Sequence, residues 1–458
     1  MKPLGVDKIQ LEKYDVVVIG AGIGGLCSGA LLSHWGYKTL VVEKLSRIGG
    51  RCSTEEYEGF KLPTGAFSIH KGAGMGETFQ EVGVELELAM VPRLFYRLRG
   101  KDYEMPPKGS IAVLLDILDK LEIERAKLLG GLAKAVATEK IMGALRKGIS
   151  EPEKETMTFR DWLLQYTDNE LAHEIFDVIA TTMVAGHSYE LPASAIFAFF
   201  VKMAGFREVG MPPHGNVAEM EKLAKVIRAN GDVWTDCPAI RIVVQGGRAK
   251  AVVFQKEGSK VEIFCQAVIS DIDPKKVVEM AGEEKFDEGY LRTLRLGIRP
   301  KPVTLCFVAS DRPLWPEDGS PAILMLTGTR RITTMIPLSS AVPETAPSGQ
   351  HLLFAFGCAR SSAVHIDKEE EIRQVTLDLK EQLPLFEKHG RILKIDPRDI
   401  DDDFPEVRGR YDFRTPTETP IKNLYNVGDA VIPFGLVGTT AVVHTARQVA
   451  ETVRKSLK

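Results

Sequence analysis

The 458-residue chain holds only six cysteines, Cys27, Cys52, Cys237, Cys265, Cys306 and Cys358, and no two of them form a CxxC pair. That scatter argues against both a zinc module and a disulfide framework, and it suits a reducing compartment. An excess of one charge is also lacking: 59 basic side chains stand against 62 acidic ones, a net charge of -3, so no basic footprint for nucleic acid is present. Long apolar runs are missing too. Away from the N-terminal motif the longest, Ala195 to Phe206, is broken by Lys202 and falls short of the roughly 20 residues a membrane-spanning helix needs. Met1 to Lys13 places charged and polar residues ahead of the first apolar run, the wrong order for a cleaved secretory signal. There is no fixed-period repeat, no HExxH spacing and no low-complexity tract beyond the acidic run Asp401 to Asp403, so no metal is expected. These absences leave a cytoplasmic globular protein of about two to three structural units at roughly 150 residues each.

What is present begins after Asp15. Val16 to Ile19 (VVVI) is a continuous β-branched run, the pattern of a strand buried on both faces. Gly20-Ala21-Gly22-Ile23-Gly24-Gly25 follows, then a helical pattern from Leu26 to Trp35, a turn at Gly36-Tyr37, and a second strand, Lys38 to Val42, closed by Glu43. The unit reads as βαβ. Gly20 makes the tight turn, Gly22 admits a pyrophosphate to the backbone, and Gly25 lets the helix pack closely on the strand. The helix N-terminus, at Ile23 and Gly24, offers free N–H groups and a positive dipole end to the phosphates. Glu43 lies 23 residues after Gly20, where a carboxylate accepts hydrogen bonds from ribose hydroxyls. An acid there indicates a free 2′-hydroxyl, hence FAD or NAD rather than NADP.

Directly afterwards come Lys44-Leu45-Ser46 and then Arg47-Ile48-Gly49-Gly50-Arg51. Here the chain resembles the flavin-dependent amine oxidase and phytoene desaturase superfamily. The resemblance implies that Lys44, Gly49 and Gly50 lie close to FAD and that Arg51 touches its phosphate or ribityl region. Asn423 to Asp429, a short strand ending in Gly428-Asp429, looks like the family's closing flavin motif, in which Asp429 binds the ribityl chain or pyrophosphate. Gly435 and Gly438 then open a final helix, Thr439 to Lys455, whose N-terminal dipole, at Gly438 and Thr439, would stabilise negative charge on the flavin. A third match lies in the middle: Gly210 to Asn216, a helix to Ala229, a strand at Gly231 to Trp234, a hairpin from Ile240 to Phe254, and Ala267 to Pro274, similar to the desaturase pattern AVVSNADP. A backbone amide near Ala239 is implied to pair with the adenine.

The implied fold is α/β. A doubly wound, Rossmann-like FAD-binding domain is assembled from three chain segments, residues 1–75, 206–275 and 406–458. An α+β substrate domain comes from residues 76–205 and 276–405.

Gly59 to His70 resembles the family's GFxxDxG stretch, with Pro63 where many relatives carry an acid, and its Gly65 to His70 portion looks like the amine oxidase version. His70 is the leading catalytic candidate, because an imidazole titrates near physiological pH; a packed, hydrogen-bonded histidine is the competing reading. His187 sits in a turn where it either lines the substrate cavity or is solvated, and His444, among Val442, Val443 and Ala446, is expected to pack. Ala195 to Phe200, with Met203 and Phe206, reads first as a buried helix and second as an apolar pocket wall. Ile111 to Gly148 carries leucines at helical spacing and a basic second half, a solvated face or a peripheral contact with an anionic bilayer.

The expected protein is therefore an FAD-dependent oxidoreductase with non-covalent cofactor. It would act on a C–C bond of an apolar or prenyl-like small molecule and pass electrons to an unassigned acceptor. Oxidation of a CH–NH bond and redox-neutral isomerisation remain as alternatives. Glu43→Ala is expected to weaken FAD retention; unchanged flavin content in the purified variant would count against the ribose assignment.

Overall fold

Three of the apolar runs form strands with every residue buried: β1 (Val16–Ile19), β2 (Thr39–Val42) and Ala267–Ser270. With no face left to water, such strands are stable only inside a parallel sheet covered on both sides. The computed structural model describes residues 13–72, 74–106, 117, 125–145, 157–202, 209–361, 364–402, 406–409, 415–433 and 435–458, and it has that sheet. Its five strands run in the order Gly231–Trp234, β2, β1, Ala267–Ser270, Leu424–Asn426, all parallel. The half-buried strand is Gly231–Trp234, at one edge.

One face is covered by α1 (Ile23–His34), the helix Asn216–Arg228 and the C-terminal helix Gly438–Ser456, through Leu26, Leu31, Leu223, Ile227, Val443 and Val449. Helix α1 is buried on all sides because it lies between the sheet and the other two helices, so it carries no amphipathic stripe. The opposite face is covered by an antiparallel meander, Ala239–Gln245, Arg248–Lys256 and Ser259–Phe264. Its Ile242, Val252, Phe254 and Val261 pack on β1 and β2. The expected hairpin thus gains a third strand, and one covering layer of the sheet is itself β.

A second, mixed sheet of seven strands runs in the order Gly390–Arg398, Val303–Ser310, His351–Cys358, Ile332–Pro337, Ala322–Leu326, Arg93–Leu98, Lys101–Glu104. Every pairing is antiparallel except Ala322–Leu326 with Arg93–Leu98. The helix Lys368–Gln382 packs Val375 and Leu379 beneath it. The helices Glu170–Val184 and Ala193–Lys202 join Arg125–Leu145 in a helical cluster around Phe159, Trp162, Phe176 and Phe197. The architecture is α/β, with a Rossmann-like sheet and an α+β remainder.

Element limits differ from the sequence reading by a few residues: α1 starts at Ile23 rather than Leu26, and the last helix spans Gly438–Ser456. His444 corrects the expectation of packing. It is exposed, because the buried seam of that helix runs through Ala441, Val443, Ala446 and Val449 and leaves position 444 on the outer side. Within the basic stretch the helix Arg125–Leu145 buries Leu128 and Leu132 and exposes Lys127 and Lys134. Residues 111–116, 118–124 and 146–148 of that stretch, with Met203, Phe206 and Phe434, lie outside the described residues. Among the described residues no helix is long and apolar enough to cross a membrane.

Two glycines give opposite tests of this packing. A Cβ on Gly25 would stand 2.0 Å from the Gly20 carbonyl oxygen, so Gly25→Ala should destabilise by at least about 1–3 kcal/mol. Gly130 is helical and has nothing near its would-be Cβ, so Gly130→Ala should stabilise by up to about 1 kcal/mol. Urea denaturation of the two variants measures both.

Candidate cofactor cradle and adjoining cavity

The strand-to-helix turn is built on Gly20, whose φ of +95° is open to glycine at little cost. Its N–H donates to the Val42 carbonyl at 2.8 Å, which ties the turn to the end of β2. Glu43, just beyond that end, is 7% exposed, and its carboxylate accepts the Ala21 N–H at 2.9 Å and the Leu45 N–H at 3.0 Å. The acid is thereby held against the glycine turn. The RxGGR segment returns to the same place: the Gly49 N–H donates to the Ala21 carbonyl at 2.7 Å, and Gly49 forms an isolated parallel bridge with Gly22.

The far end of the chain joins it through a charge pair. An Arg51 guanidinium nitrogen lies 3.1 Å from Asp429 Oδ2, and the Asp429 side chain is 6% exposed. The Gly428 N–H donates to Thr445 Oγ1 at 3.1 Å, fixing the GD turn on the C-terminal helix. Thr64, which sequence reasoning passed over, binds this layer from below: its hydroxyl accepts the Ser53 N–H at 3.0 Å and donates to the Gly50 carbonyl at 2.9 Å. Its place inside the GFxxDxG-like stretch was the available signal.

A cavity of about 1540 Å³ runs from this cradle into the second region of the molecule. That exceeds the few hundred to 1,000 Å³ of a site for one small ligand. Gly20, Gly22, Ile23, Glu43, Lys44 and Ala239 line its cradle side, as do Gly49, Gly50, Arg51, Gly428, Asp429, Gly438 and Thr439. Ala21, Gly24 and Gly25 lie behind that wall rather than on it. The remaining lining is dominated by side chains such as Leu94, Phe176, Ile179, Met325 and Phe356. Phe199 also reaches it, so the Ala193–Lys202 helix serves both as core and as wall.

His70 lines the same cavity from the short strand Ile69–His70, which pairs with Val209–Met211. Cys52 and Cys237 reach it too, but burial pushes their thiols up to about 12 and about 11, so neither is a thiolate nucleophile at neutral pH. Asp271, also unassigned from sequence, extends its carboxylate to the first turn of α1, where Oδ2 accepts the Gly25 N–H at 2.9 Å. Among the described residues no cluster of potential metal ligands occurs.

His187 is neither solvated nor part of the cavity wall. It is buried, with Nδ1 2.7 Å from Asp177 Oδ2 and Nε2 2.9 Å from the Ala359 carbonyl. Both partners are acceptors, so the site favours a ring that donates from both nitrogens, the imidazolium. Asp177 also accepts the Ser188 N–H and hydroxyl, each at 2.7 Å. Burial alone works against the charged ring, but Asp177 outweighs it and raises the His187 pKa; burial likewise opposes the Asp177 carboxylate, and His187 outweighs it and lowers the Asp177 pKa. The pair ties the helix Glu170–Val184 to the residue after the strand His351–Cys358.

Fold and cradle together define a dinucleotide-binding α/β protein whose cofactor site opens onto an apolar chamber. The chain belongs to the flavin-containing amine oxidoreductase family, whose model matches residues 23–454. It is thus a flavin-dependent oxidoreductase. An uncharacterised protein of Methanocaldococcus jannaschii is 25% identical over 398 residues, covering 85% of this chain and 86% of that protein. A zeta-carotene-forming phytoene desaturase of Myxococcus xanthus is 39% identical over 286 residues, covering 56% of this chain and 53% of the desaturase; the chain thus spans about half that relative's length. The crystal structure of an oxidoreductase from Methanosarcina mazei superposes with a TM-score of 0.79 at 24% identity, covering 95% of this chain and 100% of that one, a likeness of fold.

The His187–Asp177 pair predicts a pH signature in stability. A raised histidine pKa contributes fully below the ordinary value and is lost as pH rises through the folded value; a lowered aspartate pKa contributes above the ordinary value and is lost as pH falls through the folded one. His187→Gln should cost on the order of 3 kcal/mol near pH 6. The deficit against the native chain should shrink as pH rises. Melting temperatures from pH 5 to 9 measure it, and a constant deficit would contradict the imidazolium assignment.

Proposed function

We propose that this chain is an FAD-dependent oxidoreductase that moves hydride between a C–C bond of an apolar, prenyl-like molecule and non-covalently held FAD. The observation that carries the reading is the continuity of one cavity from the glycine cradle to an apolar chamber. The residues present fit the dinucleotide. The N–H groups of the first turn of α1 and Gly22 would hold the pyrophosphate, Glu43 the ribose hydroxyls, Arg51 and Asp429 the ribityl side, and the backbone near Ala239 the adenine. The start of the C-terminal helix at Gly438 and Thr439 lines the cavity, so its dipole favours negative charge there. Bound flavin supplies the hydride chemistry.

The chain's own part is to position the substrate and exclude water. Leu94, Phe176, Ile179, Phe199, Met325 and Phe356 give an aliphatic chain a dry wall, and His70 is a cavity-lining group suited to hold or deliver a proton. The neutral thiols of Cys52 and Cys237 support non-covalent binding. Similarity to the desaturase supports a C–C bond as the reacting unit. Beside the apolar residues the carboxylate of Glu104, next to Met105, is paired with Arg93 at 2.9 Å.

The purified protein should have an oxidised-flavin absorbance spectrum that bleaches on anaerobic photoreduction and recovers slowly in air. Recovery within seconds would favour an oxidase and the amine reading. No flavin spectrum, even after FAD is added, would overturn the proposal.

A further inference from the structure

Asp271 follows the strand Ala267–Ser270, next to β1 in the sheet, and so emerges at the crevice where the glycine turn begins α1. Its carboxylate is enclosed by glycines. A Cβ built on Gly22, Gly24 or Gly428 would stand 2.5, 2.5 and 2.6 Å from one of its oxygens, so the absence of side chains at these positions makes room for this acid. Oδ2 takes up the Gly25 N–H, and Asp271 lines the same cavity as the cradle residues. The N–H groups at such a helix start are what a dinucleotide-binding fold offers to a pyrophosphate. In this chain an internal anion already holds one of them.

The charged groups around it pull in both directions. Burial dominates and pushes the Asp271 carboxyl up to about 7; the Gly25 N–H and Arg51 favour the ionised form, while Glu43 and Asp429 oppose it. Cys27, on α1, also faces Asp271 and is a neutral thiol, its own pKa pushed up by burial and by Asp271. A pyrophosphate entering the cradle adds negative charge to this cluster and shifts it further against the carboxylate.

We propose that Asp271 is an internal competitor for the cofactor's pyrophosphate, so that the dinucleotide binds with uptake of one proton by Asp271 and is held more tightly below neutrality than above it. The inference rests on the FAD reading above and deepens it by making cofactor retention pH-dependent. The balance is simple: an ionised acid, a proton and FAD become a neutral acid with FAD bound, and no other bond changes.

The test uses the full chain freed of flavin, titrated with FAD and followed by flavin fluorescence at pH 6, 7 and 8. Calorimetry in two buffers of different ionisation enthalpy counts the protons taken up. For a carboxyl that titrates near neutrality, the dissociation constant should rise about tenfold from pH 6 to pH 8, with about half a proton taken up at pH 7. Asp271→Asn keeps the shape without the charge; it should flatten the profile and bind FAD about tenfold tighter than the native chain at pH 8. Native binding that is independent of pH with no proton uptake overturns the proposal, as does an Asn variant that keeps the native pH slope. Should that variant fail to fold, the proton count on the native chain decides by itself. No FAD binding at any pH overturns the cofactor reading and this proposal with it, whereas pH-independent binding overturns this proposal alone.

Discussion

The constraint on which the rest depends is the closeness with which α1 must leave β1. Strand order in the parallel sheet reverses at β1, with β2 on one side and Ala267–Ser270 on the other. Connections on either side of such a switch point diverge and leave a crevice at the carboxyl ends of the strands. Helix α1 starts in that crevice, and it does so within four residues of the strand because Gly20 takes a φ of +95° and Gly25 has no side chain to meet the Gly20 carbonyl. The N–H groups of the first turn, one of them held by Asp271, then lie at the opening. Glu43 with the RxGGR segment that follows it, and the GD turn from the far end of the chain, are folded back onto that one spot, held by hydrogen bonds to Ala21 and by the Arg51–Asp429 ion pair.

This explains why so much was legible before any coordinates. A strand buried on both faces, a glycine turn, a buried helix and a terminal acid are all local signals, written within Val16 to Glu43. The closing motif is local as well, because Gly428 has to take a φ of +101° where the strand Leu424–Asn426 ends. The cradle could therefore be assembled from pieces of sequence without knowing their distances.

What was missed depends on contacts that sequence does not write down. Asp271 stood in plain view within Ile269-Ser270-Asp271, in place of the asparagine of the desaturase-like pattern. Only the pairing of its strand with β1 brings its carboxylate under the glycines. His187 has its counter-ion ten positions earlier, on a helix, and its second acceptor at Ala359, 172 residues later. His444 has apolar neighbours in sequence, yet one residue of helix is enough to rotate it off the seam of Val443 and Ala446 into solvent. Periodicity separates faces of a helix; it does not say which residue at the border of a face is covered.

The two halves of the molecule treat charge differently, and that difference is the substance of the site. In the cradle, Glu43, Asp271 and Asp429 converge within a region served by Arg51, so negative charge is costly there: burial first, and the neighbouring acids after it, raise the Asp271 pKa. In the second region ions are matched pairwise: His187 with Asp177, Lys301 with Glu190 at 3.2 Å, Arg331 with Glu371 at 2.6 Å. Each of these pairs matches its own charge within the second region. An apolar guest then meets surface that gains from losing water, while the unbalanced acids lie where a dinucleotide and its own charge must be accommodated. The positions of the charges, more than any single reactive side chain, separate the cofactor end of the cavity from its apolar end.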